Sequence, residues 1–206
     1  MENINVRNHE HSEWVNMSAV ENFRKALDEL QVDKDIKAQL LQGYENISDK
    51  APKARRAAFF CQVIERMDET LPPEICHAVR DACACSKGGW RLAASKKVAR
   101  DYARKSLEEK LRALGQVKYM GNPVLQEDGS ILASIGEKGG FECPCPVFQG
   151  IAQSEPVSLT YCYCCAGHFR FHYQIALELK LKTRAVLSSA LNSCKTDPCR
   201  FVYEVE

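Results

Sequence analysis

The C-terminal third of the chain is organised around the stretch TYCYCCAGH at residues 160–168. It contains three cysteines within four positions, followed by a glycine and a histidine. Cys143 and Cys145 precede this stretch, and Cys194 and Cys199 follow it. Because thiolates are good ligands for soft metal ions, this concentration predicts a thiolate site, most simply a metal site.

Composition restricts the classes of partner. The chain has 206 residues, of which 45% are hydrophobic, so it can bury a core without disulfides. Its 28 basic and 27 acidic residues give a net charge of +1, which does not indicate binding to nucleic acid or to an anionic membrane. The eleven cysteines and the polar start without an apolar signal segment predict a reduced, cytoplasmic protein.

The hydrophobic period predicts helices first and strands later. Residues 1–15 are expected to be weakly ordered, residues 16–115 helical, and residues 116–206 a cysteine-rich α+β region. Capping patterns and prolines predict helix starts at Ser18 with Glu21, Asp33, Pro52, Pro73, Trp90, and Ser106 with Glu109. The predicted fold class is α+β, with N-terminal helices followed by an antiparallel sheet and packed helices.

Strand signals begin after Gly115. The turn Asp128-Gly129 predicts a hairpin of residues 117–126 and 131–135, with a loop at 136–140. A last antiparallel pair is predicted at residues 183–191 and 201–205.

Between these pairs, residues 158–163 are predicted as a strand, and a helix is predicted from Gly167 to Lys180. On such a strand Cys162 and Cys164 would face one site together, and Cys165 would point the other way.

Two histidines lie one turn apart on the apolar side of the predicted helix. We therefore expect His168 and His172 to face the sheet rather than water. They are either buried core histidines or, with Cys164, the candidate catalytic residues, with the histidines as proton carriers or metal ligands.

The cysteines of the helical half allow two interpretations. Cys61 lies on a predicted core face and is interpreted as a small core residue. Cys76, Cys83 and Cys85 lie on or just past the helix that begins at Pro73, and their roles stay open: Cys76 either packs in the core or not, and Cys83 and Cys85 either do so or project into a site.

The segment from Cys162 to Val205 resembles the 4-vinyl reductase-like ligand-binding domain and the related aminothiazoline carboxylic acid hydrolase-like proteins. The shared pattern is a cysteine, Gly167 followed by a histidine, an amphipathic helix, a strand, and a polar loop ending Cys199-Arg200-Phe201. Residues 160–164 and 143–146 also resemble uncharacterised cysteine-rich proteins of anaerobic bacteria.

This resemblance implies a pocket for a small organic ligand between helices and a curved antiparallel sheet, with zinc nearby. Cys162 and Cys199 match two zinc-ligand positions of the family. The other two positions fall on Ser188 and Leu191, which cannot replace a carboxylate and a thiolate. The zinc is therefore either lost or rebuilt with Cys164, Cys194 or the pair Cys143 and Cys145.

The candidate metal ligands are five cysteines: Cys143, Cys145, Cys162, Cys164 and Cys199. Zinc is the first choice of metal. An iron–sulfur cluster is the second choice, because the usual ferredoxin spacing is absent. The adjacent Cys164 and Cys165 would also suit a reactive or regulatory thiol.

Three functions follow as hypotheses. The first is a metal-binding protein with a small-molecule pocket, the second a zinc- or cysteine-dependent hydrolase of a small sulfur or nitrogen compound, and the third a redox or metal-handling protein. The sequence leaves open whether the chain forms a homodimer, and it predicts neither nucleic acid nor a membrane as a partner.

Overall fold

A computed structural model describes residues 18–85, 87–136 and 141–206 of the chain. The segment 1–15, expected to be weakly ordered, lies outside these residues, as do residues 137–140 of the predicted loop. The described residues form an α+β fold with helices first and an antiparallel sheet after them, which confirms the predicted fold class.

Six helices precede the sheet within the described part. They are α1 (Ala19–Glu29), α2 (Lys34–Leu41), α3 (Lys53–Thr70), α4 (Pro73–Ala82), α5 (Gly89–Asp101) and α6 (Leu107–Gly115). The Asp33 carboxylate accepts hydrogen bonds from the first amides of α2, and Ser106 and Glu109 form the predicted capping box of α6. No helix in the described ranges is long and apolar enough to cross a membrane.

The start of α1 differs from its prediction. Ser18 precedes the helix, but its side chain makes no capping hydrogen bond. The Asp49 carboxylate accepts hydrogen bonds from the amides of Val20, at 3.1 Å, and Glu21, at 3.2 Å. A residue 29 positions away from Val20 therefore satisfies the first turn of α1, which a local pattern cannot reveal.

We expect Asp49→Ala to destabilise the protein by about 1 kcal/mol, because the first amides of α1 lose their acceptor. Ser18→Ala is the matched control and should change the free energy of unfolding by less than about 0.5 kcal/mol. Urea unfolding of both variants measures the difference. A larger loss in the Ser18 variant would contradict this assignment of the cap.

The sheet has four strands: β1 (Asn122–Leu125), β2 (Ile131–Ile135), β3 (Leu181–Ser188) and β4 (Cys199–Val205). Their order is β1-β2-β4-β3, and every neighbouring pair is antiparallel. The hairpin at Asp128-Gly129 and the antiparallel pairing of β3 with β4 are confirmed. The bounds differ from the prediction, because β1 begins at Asn122 instead of residue 117 and β3 ends at Ser188 instead of residue 191. Register shifts interrupt the β3–β4 ladder at two places, and irregularities of this kind bend a strand.

The segment around Cys162 is helical, so the predicted strand at 158–163 is wrong. A 3-10 helix covers Leu159–Cys162, and α7 follows directly at Tyr163–Leu177. The Ser158 hydroxyl accepts a hydrogen bond from the Thr160 amide at 3.2 Å and so starts this turn. Strand signals in a short segment depend strongly on context, and tertiary packing overrides them here.

Helix α7 lies against the inner face of the sheet. The rings of Phe169 and Phe201 lie 6.0 Å apart, and the Tyr203 hydroxyl donates to the Ala166 carbonyl at 2.9 Å. The Tyr173 hydroxyl donates to the Met120 carbonyl at 2.6 Å. The buried core is continuous from α1 to β4, and α7 joins the helices to the sheet.

Candidate functional site

Five candidate ligands form what we call the thiol cluster: Cys143, Cys145, Cys162, Cys164 and Cys199. They come from the loop before the 3-10 helix, the end of that helix, the first turn of α7 and the start of β4. All eleven cysteines lie in the described residues and are free thiols.

Cys143 and Cys162 lie within electrostatic range of each other and of both Cys145 and Cys199. Burial raises the pKa of Cys143 far above its usual value, and the neighbouring thiols of Cys145, Cys162 and Cys199 raise it further. Burial also raises the pKa of Cys162 to about 12; a hydrogen bond with Ser189 opposes the shift, and Cys199 adds to it. The fold therefore brings together thiols that are far apart in sequence.

The fifth member, Cys164, has neighbours both inside the cluster and outside it. Burial raises its pKa, Arg80 opposes that shift, and Cys145, Cys85 and Cys162 add to it. Cys165 also has a pKa raised by burial and then by Cys199, Cys164 and Cys162. The expectation that Cys165 points away from Cys162 and Cys164 depended on the predicted strand, and this segment is helical instead.

Tyr161 fixes the loop that carries Cys143 and Cys145. Its hydroxyl and the Cys145 sulfur are 3.1 Å apart and share a hydrogen bond. Its ring also meets Phe148 edge to face, with centroids 4.9 Å apart. The Cys145 carbonyl accepts hydrogen bonds from the Phe148 and Gln149 amides, which closes a turn after the second thiol. The Cys-Pro-Cys loop is therefore attached to the 3-10 helix beside Cys162.

Arg80 is a buried cation at this site, and sequence reasoning missed it. Its side chain on α4 is only 2% exposed. Its Nε and Nη2 donate to the Tyr161 carbonyl at 3.3 Å and 3.2 Å. The guanidinium carbon lies 4.6 Å from the centroid of the Tyr161 ring and 5.3 Å from that of Phe60. A lone arginine on the apolar face of α4, one turn after Cys76 and before Cys83, was the available signal.

The two histidines are buried as expected, but they do not face the sheet. The His168 Nδ1 lies 2.6 Å from the Cys85 carbonyl, and the His172 Nδ1 lies 3.2 Å from the Ser95 hydroxyl. Both partners belong to α5 or the segment before it. The expected orientation is wrong because Phe169 and Tyr173 occupy the sheet side of α7.

The tautomer of His168 follows from its partner. A carbonyl oxygen only accepts, so the His168 Nδ1 carries the proton and its Nε2 carries the lone pair. Burial lowers the pKa of His168 to about 3, so the ring is neutral near neutral pH. Cys164, His168 and His172 are spaced four residues apart and lie on one side of α7.

The cysteines outside the cluster have different surroundings. The Cys76 thiol donates to the Met67 carbonyl at 3.2 Å within the core, whereas Cys194 is exposed. Cys83 and Cys85 lie close enough to the site to affect pKa values there. Cys83 raises the pKa of Arg80, and Cys85 raises the pKa of Cys164.

The donor chemistry suits a soft metal, but the thiols are not arranged as a finished site. In residues 18–85, 87–136 and 141–206, no group of three or more His, Cys, Asp or Glu side chains is placed to hold a metal ion. The raised thiol pKa values describe protonated, neutral groups, which can approach one another without repulsion. Metal binding would require these thiols to lose protons and draw together.

A small cavity adjoins the cluster at Cys143. It is lined also by Phe148, Ile151 and Leu191, and its volume of about 10 Å³ suits a single water. A wider depression of about 630 Å³ lies on the outer face of the sheet, lined by Leu132, Leu187 and Val202 among others. The thiol cluster does not line that depression.

Ser188 and Leu191, the residues at the other two zinc-ligand positions implied by the resemblance to the 4-vinyl reductase-like domain, have structural contacts. The Ser188 hydroxyl donates to the Pro198 carbonyl at 2.7 Å, and Leu191 is buried.

No protein-family model matches this chain, and neither a curated protein nor a solved structure matches it significantly. The similarity to the 4-vinyl reductase-like domain stays a prediction that depends on the residues quoted for it.

Proposed function

We propose that the protein binds a metal ion, zinc in the first place, through thiolates of the thiol cluster. The observation that carries this proposal is the convergence of Cys143, Cys145, Cys162 and Cys199 from three separate parts of the fold. Four thiolates are a usual donor set of a structural zinc site. Cys164 is the alternative fourth ligand, since it lies near Cys145 and Cys162.

The residues around the cluster give the metal a structural role. A bound zinc ion would supply a cross-link between the Cys-Pro-Cys loop, the 3-10 helix and β4. Tyr161 holds the loop against the 3-10 helix, and Ser189 forms a hydrogen bond with Cys162. These contacts would hold the Cys-Pro-Cys loop beside the 3-10 helix while the thiols draw together around the metal.

A zinc-dependent hydrolase is the second candidate, and the cavity beside Cys143 favours it. A catalytic zinc keeps one position for water, and this cavity has the volume of one water. Cys164, His168 and His172 would then supply a nucleophile and proton carriers. The expected organic ligand would need a larger opening than this cavity provides.

We expect protein purified without oxygen to contain about one zinc ion per chain, with the cluster thiols protected from alkylation. Cys162→Ser and Cys199→Ser should each lose most of the metal, because each removes a buried donor. Elemental analysis with a thiol count on the same sample measures both quantities.

Two control variants separate metal loss from a general loss of stability. Cys194→Ser removes an exposed thiol, and Cys76→Ser removes a buried core thiol outside the cluster. Both should keep the metal. Full metal retention in both Cys162→Ser and Cys199→Ser would overturn the proposal, and iron with sulfide would replace zinc by an iron–sulfur cluster.

A further inference from the structure

The small net charge of the chain conceals an uneven distribution of charge. Residues 87–118 contain ten basic and three acidic residues, which give this segment a net charge of +7. The remainder of the chain therefore carries a net charge of −6. Helices α5 and α6 lie within the basic segment and pack against each other. The fold thus has a local region of positive potential that attracts anions.

Most of these cations are on the outside of the protein. Eight of the ten basic residues of the segment are exposed. On α5, Lys96, Lys97 and Arg100 are exposed at helical spacing, so they share one side of the helix. Arg104 follows in the turn after α5 and is also exposed. The Asp101 carboxylate pairs with both Lys97 and Arg100, so a single negative charge is shared between two cations.

Two aromatic rings lie beside the first turn of α5. The ring centroids of Trp90 and Tyr119 are 6.3 Å apart, in an edge-to-face arrangement. The guanidinium carbon of Arg91 lies 5.1 Å from the Trp90 centroid and 5.9 Å from the Tyr119 centroid, and the Lys118 Nζ lies 4.7 Å from the Tyr119 centroid. Trp90 and Lys97 are about two helical turns apart, so the rings and the α5 cations share one side of the helix.

Tyr119 has a backbone conformation that tyrosine rarely adopts. Its φ is +61°, and the residue is 52% exposed. The turn is fixed on both sides of Met120, whose amide donates to the Val117 carbonyl at 3.1 Å and whose carbonyl accepts from the Tyr173 hydroxyl at 2.6 Å. An exposed ring on a strained backbone gains little from core packing, and strain of this kind is concentrated at binding sites.

We propose that the exposed side of α5 from Trp90 to Arg104, together with Tyr119, binds single-stranded nucleic acid. Unpaired bases would stack on the two rings while the lysines and arginines contact the phosphates. Helix α5 has 13 residues and is therefore about 20 Å long, which spans several phosphates of one strand. The sequence prediction that nucleic acid is not a partner depended on the net charge of the whole chain, which averages over this segment.

The same observations disfavour other polyanions. A helix that lies on a membrane buries an apolar side in the lipid. The exposed side chains of α5 are those of Ala93 and of charged residues, whereas Val98 is buried in the core. A double helix hides the faces of its bases, and an acidic protein offers no bases for the rings to stack on. The thiol cluster lies outside α5 and α6, so this surface is separate from the proposed metal site.

Fluorescence anisotropy with a labelled oligodeoxythymidine of about 12 nucleotides, in reducing buffer, measures the binding. We expect a Kd of about 10 µM or tighter at low salt, which weakens as salt rises because bound phosphates release counterions. Lys96→Glu combined with Arg104→Glu should weaken binding by at least about tenfold. Lys25→Glu combined with Lys182→Glu is the matched control, because both lysines are exposed, lie outside residues 87–118 and change the net charge equally. Equal losses in the two double variants would overturn the proposal.

Tyr119→Gly tests the stacking ring separately from the fold. Glycine adopts positive φ without strain, so this variant should keep the stability of wild-type protein or exceed it in urea unfolding. It should nevertheless bind the oligonucleotide about tenfold more weakly, because one stacking surface is lost. Unchanged binding in Tyr119→Gly would overturn the proposal. So would equal affinity for duplex DNA or polyglutamate, binding to phosphatidylserine vesicles alone, or the absence of binding to any of these probes.

Discussion

Lowering the pH from about 7 to about 5 is expected to remove about 2 kcal/mol of stability through His168. Burial lowers the pKa of His168 from 6.5 to about 3, and the nearby His172, Arg91 and Lys87 oppose its charging further. The unfolded chain binds the proton first. The free energy of unfolding therefore has its full value above pH 6.5 and decreases as the pH falls towards 3. The total decrease through His168 is about 5 kcal/mol.

His168→Asn tests this assignment, because an amide Nδ2 can still donate to the Cys85 carbonyl but does not titrate. Urea unfolding at several pH values should show a shallower loss in this variant than in wild-type protein. His77→Gln is the control: its imidazole is stacked on Tyr163, and burial lowers its pKa too, but less of it is buried. Equal losses in wild-type protein and His168→Asn would contradict the prediction.

The helices were predictable because their signals are local. Asp33 and Ser106 cap the amides of residues within three positions, so their roles follow from the sequence around them. The hairpin at Asp128-Gly129 is also local, since Asp128 bonds Ser130 and Gly129 has φ +80°. The cap of α1 failed as a prediction because its acceptor, Asp49, comes from a distant turn.

The cysteines of the thiol cluster are visible in the sequence, but their approach in the fold is not. The predicted orientations of Cys162, Cys164 and Cys165 depended on a strand, and this segment is helical. For Arg80 the sequence offered one signal, its place on the apolar face of α4, but not its partner Tyr161, which lies 81 residues away. A buried arginine in a sequence resembles any helix arginine until the fold removes its water.

Gly167→Ala is expected to destabilise the protein by about 2 to 3 kcal/mol. Gly167 lies inside α7, where alanine normally stabilises a helix by about 0.5 to 1 kcal/mol. Here α4 is too close. An added Cβ would lie 2.8 Å from the Asp81 Oδ1 and 3.1 Å from both the Ala84 Cβ and the Asp81 carbonyl oxygen. The helices must therefore separate, or Asp81 must move away from Arg170.

The electrostatics make this contact harder to relieve. The Asp81 Oδ1 is buried without a hydrogen-bond partner in the described residues, so a methyl group would further desolvate a carboxylate oxygen. Moving that carboxylate would weaken its 2.5 Å ion pair with Arg170. Gly88→Ala is the matched control, because its Cβ would meet nothing within 4 Å. If urea unfolding shows equal stability for Gly167→Ala and Gly88→Ala, α4 and α7 do not approach each other as closely as this contact requires.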